Sequence, residues 1–509
     1  MPKEVSVIDR LIAYTSPNRA LRRALSRTAI NIVNSGYSQY GANTRKKLFK
    51  GRDSVTGSPK EDINDNLDTL RSRSKSLFMG GANIATGAVK TTRTNVIGSG
   101  LTLKPTIDHE FLKMTDDEAD RWKQNVTREF EYYASSVNCD RFRANNFYEL
   151  QQLAFISQLV SGDVFVLLPF RPRVGFLYDL RIQLVEADRV CTPLDKSGDS
   201  NISQGVETRH GEIVAYHISN RFPGSEDDTG VFRRISAFGS RTGRRNVLHL
   251  MESERPDQTR GVPILAPVIE SLQMLGEYTR AELTAAVVSG IFTIFLKTEM
   301  PTVGLGQSMP LSEQIDADND YTYEAGHGNI VQLGPGESIE TASPGRPNVA
   351  FDPFVNSILR QIGSALGIAY EVVIMHFSAS YSASRAALLE TWKMFKMRRG
   401  WFARRFCQQV YEEWMTEAVA KGRVYAPGFF DDPIVKAAYC KAEWHGPAQG
   451  QIDPLREARA AQLRIDSEIS TREREAAEIT GTDYNVNHRQ RIKETENQSE
   501  LNKILEGGP

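Results

Sequence analysis

The first third of the chain contains three segments in which apolar residues recur at the spacing of one helical face. These segments are residues 64–95, residues 116–135 and the run "NNFYELQQLAFISQLVSG", which stops at Gly162, a residue type favoured just after a helix C-terminus. The sequence therefore predicts three helices here. The apolar positions in the first two segments are Leu67, Leu70, Leu77, Ile84, Val89, Trp122, Val126, Phe130 and Tyr133.

The pattern then changes to short β-rich runs separated by turn residues. "DVFVLLPF", "LRIQLVEADRV", "EIVAYHIS" and "NVLHLM" each have the length and composition of a strand. A helical period returns from about residue 263, with apolar positions at Ile264, Val268, Leu272, Leu275, Leu283 and Val287. Strands set between helical segments predict a mixed α+β fold.

The second half of the chain predicts further helices with identifiable ends. Asp352 is expected to cap one helix, with Pro353 at its first position. A polar stretch, "HFSASYSASR", precedes a long helix expected from about Ala386 to Ala420. The spacings typical of helix caps predict two more helices near the C-terminus. The residues expected at their ends are Asp453 and Pro454 for the first, and Ser470, Glu473 and Gly481 for the second.

The start of the helix near residue 263 has an unusual sequence, "RPDQTRGVPILAPVI". Gly261 permits a tight turn. Pro263 is expected at or near the first helical position, where its missing N–H costs no hydrogen bond, and Pro267 either starts the helix or tightens its first turn. The alternative interpretation is an ordinary helix start bounded by prolines.

Composition and charge exclude several classes of protein. The 509 residues carry a formal net charge of −1, which argues against a protein that coats nucleic acid. The first 60 residues are different, because 12 basic residues face three acidic ones and apolar residues are scarce. That segment predicts a flexible arm that is either simply solvated or contacts nucleic acid or a neighbouring subunit.

The cysteines and the apolar runs suggest a protein of the cytoplasm. Cys139, Cys191, Cys407 and Cys440 are widely separated and form no CxxC pair, as expected for reduced thiols. The first residues do not resemble a secretory signal. The longest apolar run, "AAVVSGIFTIFL", is shorter than the roughly 20 residues that a membrane span requires.

Motifs for catalysis or cofactor binding are missing from the sequence. The dipeptide Gly-Lys never occurs, so a P-loop ATPase is excluded, and HExxH, GxSxG and a strand-linked GxGxxG do not occur either. "DADND", residues 316–320, begins like a calcium loop, but Tyr321 and His327 stand where Gly and Glu are needed. We therefore expect no catalytic residue, no metal and no cofactor. A nuclease that used this run with Glu324 as metal ligands is the enzymatic alternative.

Two further segments allow either a structural or a functional interpretation. "KMFKMRRGWFARRF", residues 393–406, interleaves aromatic and basic residues, a composition that suits nucleic-acid binding. Phe395, Phe402, Phe406, Val410 and Trp414 nevertheless share one helical face, which predicts a core helix with its arginines in solvent. The Ser/Ala-rich run "FSASYSASRAA" predicts either a linker or a loop that slides against a partner without binding it tightly.

The order of several blocks resembles the lambda-type family of phage portal proteins. The similar blocks are "TLRSRSKSLFMGGANIATGAVKTTRTNVIGSGLTLKP", "SGDVFVLL", "IQLVEADRV", "RPDQTRGVPILAPVI", "SYSASRAALLETW" and "WHGPAQGQIDPLREARAAQLRIDSEISTREREAAEITGTD". They span most of residues 65–485. The resemblance implies an α+β portal fold that forms rings and consists of a wing, a two-helix stem, a clip, a tunnel loop and a helical crown.

The resemblance also implies boundaries and residue roles. The expected segments are a basic flexible arm (1–62), the wing (63–262), stem helix 1 (263–290), the clip (291–348), stem helix 2 (349–370), the tunnel loop (371–385), the tunnel helix with a return to the wing (386–451), and the crown with a C-terminal tail (452–509). Expected channel residues are Ser378, Ser380, Tyr381, Ser382, Ser384 and Arg385. Expected stem anchors are Arg260, Gly261, Pro263, Pro267, Asp352 and Pro353.

The function that the resemblance implies is a passive conduit for DNA. Members of the family form a ring, generally a dodecamer, at one capsid vertex, and double-stranded DNA passes through its axis during packaging and ejection. The expected partners are the terminase large subunit, head-tail adaptor proteins, and the major capsid and scaffold proteins. The expected locations are the virion and, during assembly, the host cytoplasm. Another head-tail adaptor or a minor capsid protein is the alternative.

Overall fold

The structure is a computed structural model that describes residues 57–226, 230–290, 294–298, 337–341, 351–377, 380–450 and 453–506. Residues Ile63–Pro509 form one compact unit, and Met1–Asp62 are assigned to a second. The expected flexible arm therefore lies almost entirely outside the described residues, as do the "DADND" run and Glu324.

Helices account for most of the regular structure, with short π turns at Lys60–Asn64, Leu77–Gly81 and Ala403–Cys407. The α-helices are α1 (Leu67–Ser76), α2 (Asn83–Val96), α3 (Asp116–Ala134), α4 (Phe147–Ser161), α5 (Ile269–Gly290), α6 (Phe351–Leu366), α7 (Tyr370–Val373), α8 (Tyr381–Phe402), α9 (Gln408–Ala420), α10 (Pro433–Cys440), α11 (Pro454–Asp466), α12 (Arg472–Ile479) and α13 (Tyr484–Glu506).

The strands form small antiparallel sheets. They are β1 (Thr102–Pro105), β2 (Asp163–Leu167), β3 (Gln183–Glu186), β4 (Ile202–Ser203), β5 (Val206–Arg209), β6 (Glu212–Ser219), β7 (Phe232–Ser236), β8 (Val247–Met251), β9 (Ile294–Thr298), β10 (Glu337–Thr341) and β11 (Ala442–His445). One sheet has the order β3-β2-β8 and another the order β4-β5-β6-β7, while β1 pairs with β11 and β9 with β10. The α+β class and the four β-rich runs are confirmed.

Local capping explains why the early helices begin and end where they do. Thr115 and Glu118 form a capping box at the start of α3, and Asn146 and Glu149 form another at α4. Gly162 follows α4 with φ = +89°, a conformation that favours glycine. The single helix predicted over residues 64–95 is wrong, because non-helical backbone at Gly80 divides it into α1 and α2.

The long C-terminal helix begins earlier than the sequence predicts. α8, the π turn Ala403–Cys407 and α9 form a continuous helical run from Tyr381 to Ala420. Its inner face is buried against α3 and α4, where Phe130 makes edge-to-face contacts with Phe147, Tyr411 and Trp414. These aromatic contacts form the centre of the main hydrophobic core.

The ends of the last helices agree only partly with prediction. Asp453 caps α11 as expected, with its carboxylate accepting a hydrogen bond from the Arg456 N–H at 3.1 Å. Thr471, not Ser470, caps α12. The Ser470 N–H instead donates to the carbonyl of Arg464 and so helps to end α11. Gly481 follows the end of α12 with φ = +71°, as predicted.

Candidate functional site

A buried carboxylate lies at the base of α5. Asp163 is the first residue of β2, immediately after Gly162, and its side chain is fully buried. In the antiparallel pairing of β2 with β8, Phe165 is opposite His249, and the ring of His249 stacks on Phe165 at 4.2 Å. His249 Nε2 lies 3.1 Å from Asp163 Oδ2.

Arg260, just before α5, uses all five N–H donors of its guanidinium group. Nε and Nη2 donate to the two oxygens of Asp163 at 2.7 and 3.2 Å. Nη1 donates to the carbonyls of Val190, at 2.7 Å, and Gln204, and Nη2 donates to the carbonyl of Ala187 at 2.9 Å. Arg260 therefore connects the start of α5 to β2 and to the loops around β3 and β4.

Arg71 brings α1 to the same carboxylate. Its Nη2 donates to Asp163 Oδ1 at 2.8 Å and its Nε to the carbonyl of Ser161 at 2.9 Å. One turn later, the Ser74 hydroxyl donates to the carbonyl of Val160 at 2.7 Å. We call Asp163, Arg71, Arg260 and His249 the base network.

Charge explains why the network remains ionised. Burial alone would raise the pKa of Asp163, but the charges of Arg260 and Arg71 hold that pKa well below its usual range. Burial lowers the pKa of Arg71 to about 10 and also lowers the pKa of His249, despite the nearby carboxylate. The two guanidinium groups carry one more charge than the Asp163 carboxylate, and Asp188, one of two acids that pair with Lys75, adds a negative charge near Arg71.

A pair of glycines brings two chain segments into close contact beside the network. A Cβ on Gly162 would lie 2.4 Å from the carbonyl oxygen of Gly261, and a Cβ on Gly261 would lie 2.1 Å from that of Gly162. The Gly261 N–H donates to Asp163 Oδ2 at 3.1 Å. Gly261 is therefore required because two backbones approach closely here. The sequence predicted a glycine for a tight turn and not for this contact.

The two prolines have different positions relative to α5. Pro263 precedes the helix, so its expected place at or near the first helical position is wrong. Its carbonyl accepts a hydrogen bond from the Ala266 N–H, and this contact leads into a 3₁₀ turn at Ala266–Val268. Pro267 lies in that turn, as the prediction of a tightened first turn allowed. The Ile264 N–H, between the prolines, donates to the carbonyl of Leu159 in α4.

The apolar face predicted for α5 is buried only near its base. Leu272 and Leu275 are 2% and 6% exposed, whereas Leu283 and Val287, on the same predicted face, are 66% and 59% exposed. Met274 is also exposed. The distal part of α5 therefore presents apolar side chains that the rest of the described chain does not cover.

The helix after the β9–β10 pair packs against α5. Tyr278 lies 5.4 Å from Phe351 and 5.3 Å from Phe354, measured between ring centroids. Asp352 and Pro353 lie inside α6, so the expected cap at Asp352 is wrong. The Asp352 carboxylate accepts a hydrogen bond from the Asn356 amide at 3.0 Å, one turn further along the helix.

The predicted loop over residues 371–385 is shorter in the structure. α7 includes Tyr370–Val373, and α8 begins at Tyr381, so Tyr381, Ser382, Ser384 and Arg385 belong to the first turns of α8. Ser380 is the N-cap residue, without a side-chain cap bond. Ser378 lies outside the described residues. The loop is shorter because α8 extends in the N-terminal direction as far as Tyr381, through Ser and Ala residues.

Ser384 is buried, whereas Arg385 is partly exposed beside α11. Arg385 Nη2 lies 4.0 Å from Glu457 Oε1 of α11. Ser384 is 8% exposed. Arg385 lines a cavity of about 400 Å³ between α8 and the helices α11 and α12, together with Met375 and Phe377.

The basic and aromatic segment at 393–406 is confirmed as a core helix. Phe395, Phe402 and Phe406 are buried, as are Val410 and Trp414 beyond them. Its arginines do not all lie in solvent, contrary to prediction. Arg399 donates to the carbonyls of Asn95, Val96 and Pro447, and Arg398 Nη2 is 3.7 Å from Glu252 Oε2. Lys393 and Lys396 form ion pairs with Glu390 and Glu478.

The remaining candidate chemistry is limited. Within the described ranges, no group of three or more His, Cys, Asp or Glu side chains is placed to hold a metal ion. The four cysteines are free. Among the helices that the structure describes, none combines the length and the apolar character of a membrane span.

Sequence reasoning identified Arg260 and Gly261 but missed Asp163, Arg71 and His249. A signal for Asp163 was present, because it is a single acid at the start of the apolar run "VFVLL", directly after a helix-ending glycine. An acid in that position is buried unless the strand is at an edge, and a buried acid requires a cation. No comparable signal pointed to Arg71, since basic residues are frequent on the same helix.

Comparisons with known proteins identify similar sequences and structures. Portal protein B of Escherichia phage lambda is 25% identical over 434 residues, which cover 81% of this chain and 80% of that protein. The portal protein of Escherichia phage N15 is 24% identical over 434 residues, with coverage of 81% of each chain. A solved structure described as the neck of a native gene transfer agent particle, computed with C12 symmetry, covers 79% of this chain and 92% of its own. Its identity is 12% and its TM-score 0.41.

The family itself is identified by a sequence profile. The profile of the family described as "Phage portal protein, lambda family" matches residues 45–399, well over half of the chain. The match includes the base network, α5, α6 and most of α8. The chain therefore belongs to the lambda family of phage portal proteins.

Proposed function

We propose that the protein assembles into a closed ring, a dodecamer, at a unique vertex of the capsid, and that double-stranded DNA passes through the axial channel during packaging and ejection. The main support is family membership over residues 45–399. We assign the protein no catalytic activity, cofactor or membrane association. Its locations in this proposal are the virion and, during assembly, the host cytoplasm.

The distal half of α5 is the structural observation that best supports a ring. Leu283 and Val287 are exposed there, and Phe354 of α6, which contacts Tyr278 of α5, is exposed as well. A neighbouring copy would remove these side chains from water, at about 25 cal/mol per Å² of apolar area buried. In a closed ring any error in the angle of α5 recurs in every subunit, which explains the value of a rigid base.

The channel contacts follow from the start of α8. Ser380 and Ser382 are exposed, and we propose that they face DNA together with Ser378 and Tyr381. Ser384 is buried, so we exclude it from the contact set. Small hydroxyl side chains and a net charge of −1 allow a duplex to move without a strong phosphate contact.

Arg385 supports the loop from below through its proximity to Glu457. Arg385→Glu would place two carboxylates together and should impair packaging or DNA retention while rings still assemble. Glu457→Gln removes the same contact without changing the charge of the loop. A defect in both variants would come from loss of the contact, and a defect in Arg385→Glu alone would come from the added negative charge. Normal packaging by Arg385→Glu would contradict the channel assignment.

Docking partners belong to the same proposal. The clip residues, 291–348, would bind the terminase large subunit and later the head-tail adaptor proteins. The wing and crown would contact the major capsid and scaffold proteins. Among the residues that we assign to the clip, β9 and β10 pair in antiparallel orientation.

The test of the ring is the rotational symmetry of the purified protein in averaged end-on electron micrographs. Rings with an axial hole and a single symmetry are expected. A protein that remains a single subunit under all assembly conditions would instead favour a minor capsid or adaptor role.

A further inference from the structure

Three arginines line one small cleft on the surface between β8 and the π turn Ala403–Cys407. Arg245 precedes β8, and Arg404 and Arg405 belong to the π turn. All three arginines are exposed to solvent. The cleft has a volume of about 60 Å³, and its other lining residues are Leu248, His249 and Gln409.

None of the three guanidinium groups has an acidic partner among the described residues. Two acids close in sequence to the cleft are already engaged: Glu413 pairs with Arg244, and Glu252 lies 3.7 Å from Arg398. Arg245 lies over the ring of Phe238 at 5.2 Å, a contact that leaves its N–H donors available. Three like charges that line one cleft repel one another, so an anion bound between them would be stabilised.

The π turn places Arg404 and Arg405 on the surface next to each other. Phe402 and Phe406, on either side of the arginines, are both buried, while Arg404 and Arg405 point outward together. π turns interrupt the regular helical register and are frequent at functional sites. Arg404 Nη1 lies 3.4 Å from the position that a Cβ on Gly400 would occupy, so the guanidinium group lies back over the preceding turn.

The base network reaches the cleft through His249. His249 lines the cleft and also contacts Asp163. One wall of the cleft therefore rests on the buried ion pairs of Asp163 with Arg71 and Arg260.

We propose that Arg245, Arg404 and Arg405 form a binding site for an oxyanion of the phosphate class. The planar fork of each guanidinium group matches the oxygen spacing of phosphate. A doubly charged tetrahedral anion compensates three arginines better than a single carboxylate does. The site goes beyond the proposed function, in which no anion site occurs. The phosphate is either free in solution or carried by a nucleic acid.

The test is calorimetric titration of the full-length protein with sodium phosphate, in sodium chloride at matched ionic strength. Arg404→Gln/Arg405→Gln should weaken phosphate binding by about tenfold or more, a loss of about 1.4 kcal/mol or more. The matched control is Arg121→Gln/Arg128→Gln, which removes two exposed arginines from α3 and should bind phosphate like the unmodified protein.

Competition with a short DNA duplex distinguishes the two sources of phosphate. Displacement of phosphate by the duplex, lost in Arg404→Gln/Arg405→Gln, would assign the site to nucleic acid, and failure to displace it would assign the site to a free anion. Equal phosphate binding by both double variants, or no binding at all, would overturn the proposal. Altered ring assembly in Arg404→Gln/Arg405→Gln without phosphate binding would also overturn it, in favour of a contact between subunits.

Discussion

The two ends of α5 differ in whether the rest of the chain covers their apolar side chains. At the base, Leu272 and Leu275 are buried, and Arg260 makes five hydrogen bonds just before the helix. Toward the distal end, Leu283 and Val287 remain exposed. One helix therefore begins in a fully bonded polar interior and ends with apolar side chains in solvent.

The two ends of α5 therefore have different roles: one in the folding of the subunit and one in its assembly. The base determines the direction of α5 within a single subunit, through contacts to α1, α4 and β2. The distal part contributes little to the fold of that subunit and is available for a neighbouring copy. Substitutions at the base should therefore affect folding, whereas substitutions at the distal end should affect assembly.

The largest expected effect is that of Arg260→Met. It leaves the buried Asp163 carboxylate with one cation fewer and leaves three backbone carbonyls without their donor, so unfolding should become easier by about 3–5 kcal/mol. Chemical denaturation of the dissociated subunit measures this change. Arg128→Met, on the exposed face of α3, is the matched control and should change the free energy of unfolding by less than about 0.5 kcal/mol. Equal effects of the two variants would contradict the importance of the base network.

Gly162→Ala should have the next largest effect, a loss of about 3 kcal/mol in the free energy of unfolding, because it combines a strained backbone with a clash against Gly261. Gly211→Ala separates the two causes. Gly211 has a similar φ of +83°, but a Cβ at that position would have no atom within 4 Å, so only a cost of about 1 kcal/mol is expected. If both variants lower the free energy of unfolding by the same amount, the close approach of Gly162 and Gly261 contributes nothing to stability.

A smaller effect is expected from pH. The pKa of His249 is lower in the folded state than in the unfolded state. The unfolded state therefore binds a proton first as pH falls, and the free energy of unfolding decreases below the usual histidine pKa of about 6.5. His249→Gln keeps a donor for Asp163 and should flatten the dependence of the unfolding free energy on pH between about 6.5 and 5, by at most about 1.4 kcal/mol per pH unit. His217 should preserve part of the slope, since its pKa is also lowered by burial.

Stability should fall further in stronger acid. The pKa of Glu207 is lowered to about 2, mainly by its hydrogen bond to Arg234, and the pKa of Asp163 is also lowered. Their contributions are complete above the unfolded carboxylate values of about 4 and are lost as pH falls below them. A curve that is flat from about pH 4.5 to about pH 2 would contradict both assignments.

The smallest effect on folding is expected at the distal end of α5. Leu283→Asn should change the unfolding free energy of the dissociated subunit by less than about 0.5 kcal/mol, yet it should weaken ring assembly measured by light scattering. Leu272→Asn is the control at the base, and it should destabilise the subunit by about 2–5 kcal/mol. Normal assembly by Leu283→Asn would remove the main structural support for a ring contact at this surface.

The local sequence determines the features that depend only on neighbouring residues. The capping boxes at Thr115 and Asn146, the glycine stop at Gly162 and the apolar face of the helix through Phe402 and Trp414 all depend on residues within a few positions of each other. The errors lie where two local signals compete. The polar run before Arg385 favours a loop, although its Ser and Ala residues also continue a helix, and Ser470 and Thr471 both have the chemistry of a cap.

The sequence by itself determined that the chain is an α+β protein and that its ordered blocks resemble one family, and it drew attention to the turn before α5 that contains Arg260 and Gly261. Only the tertiary structure decided what Arg260 binds, since Asp163 and Arg71 are far from it in sequence and their burial depends on how α1, α4 and β2 pack. It also decided which half of the apolar face of α5 is covered. Helical periodicity reports which side chains share a face, whereas burial depends on which other parts of the chain reach that face.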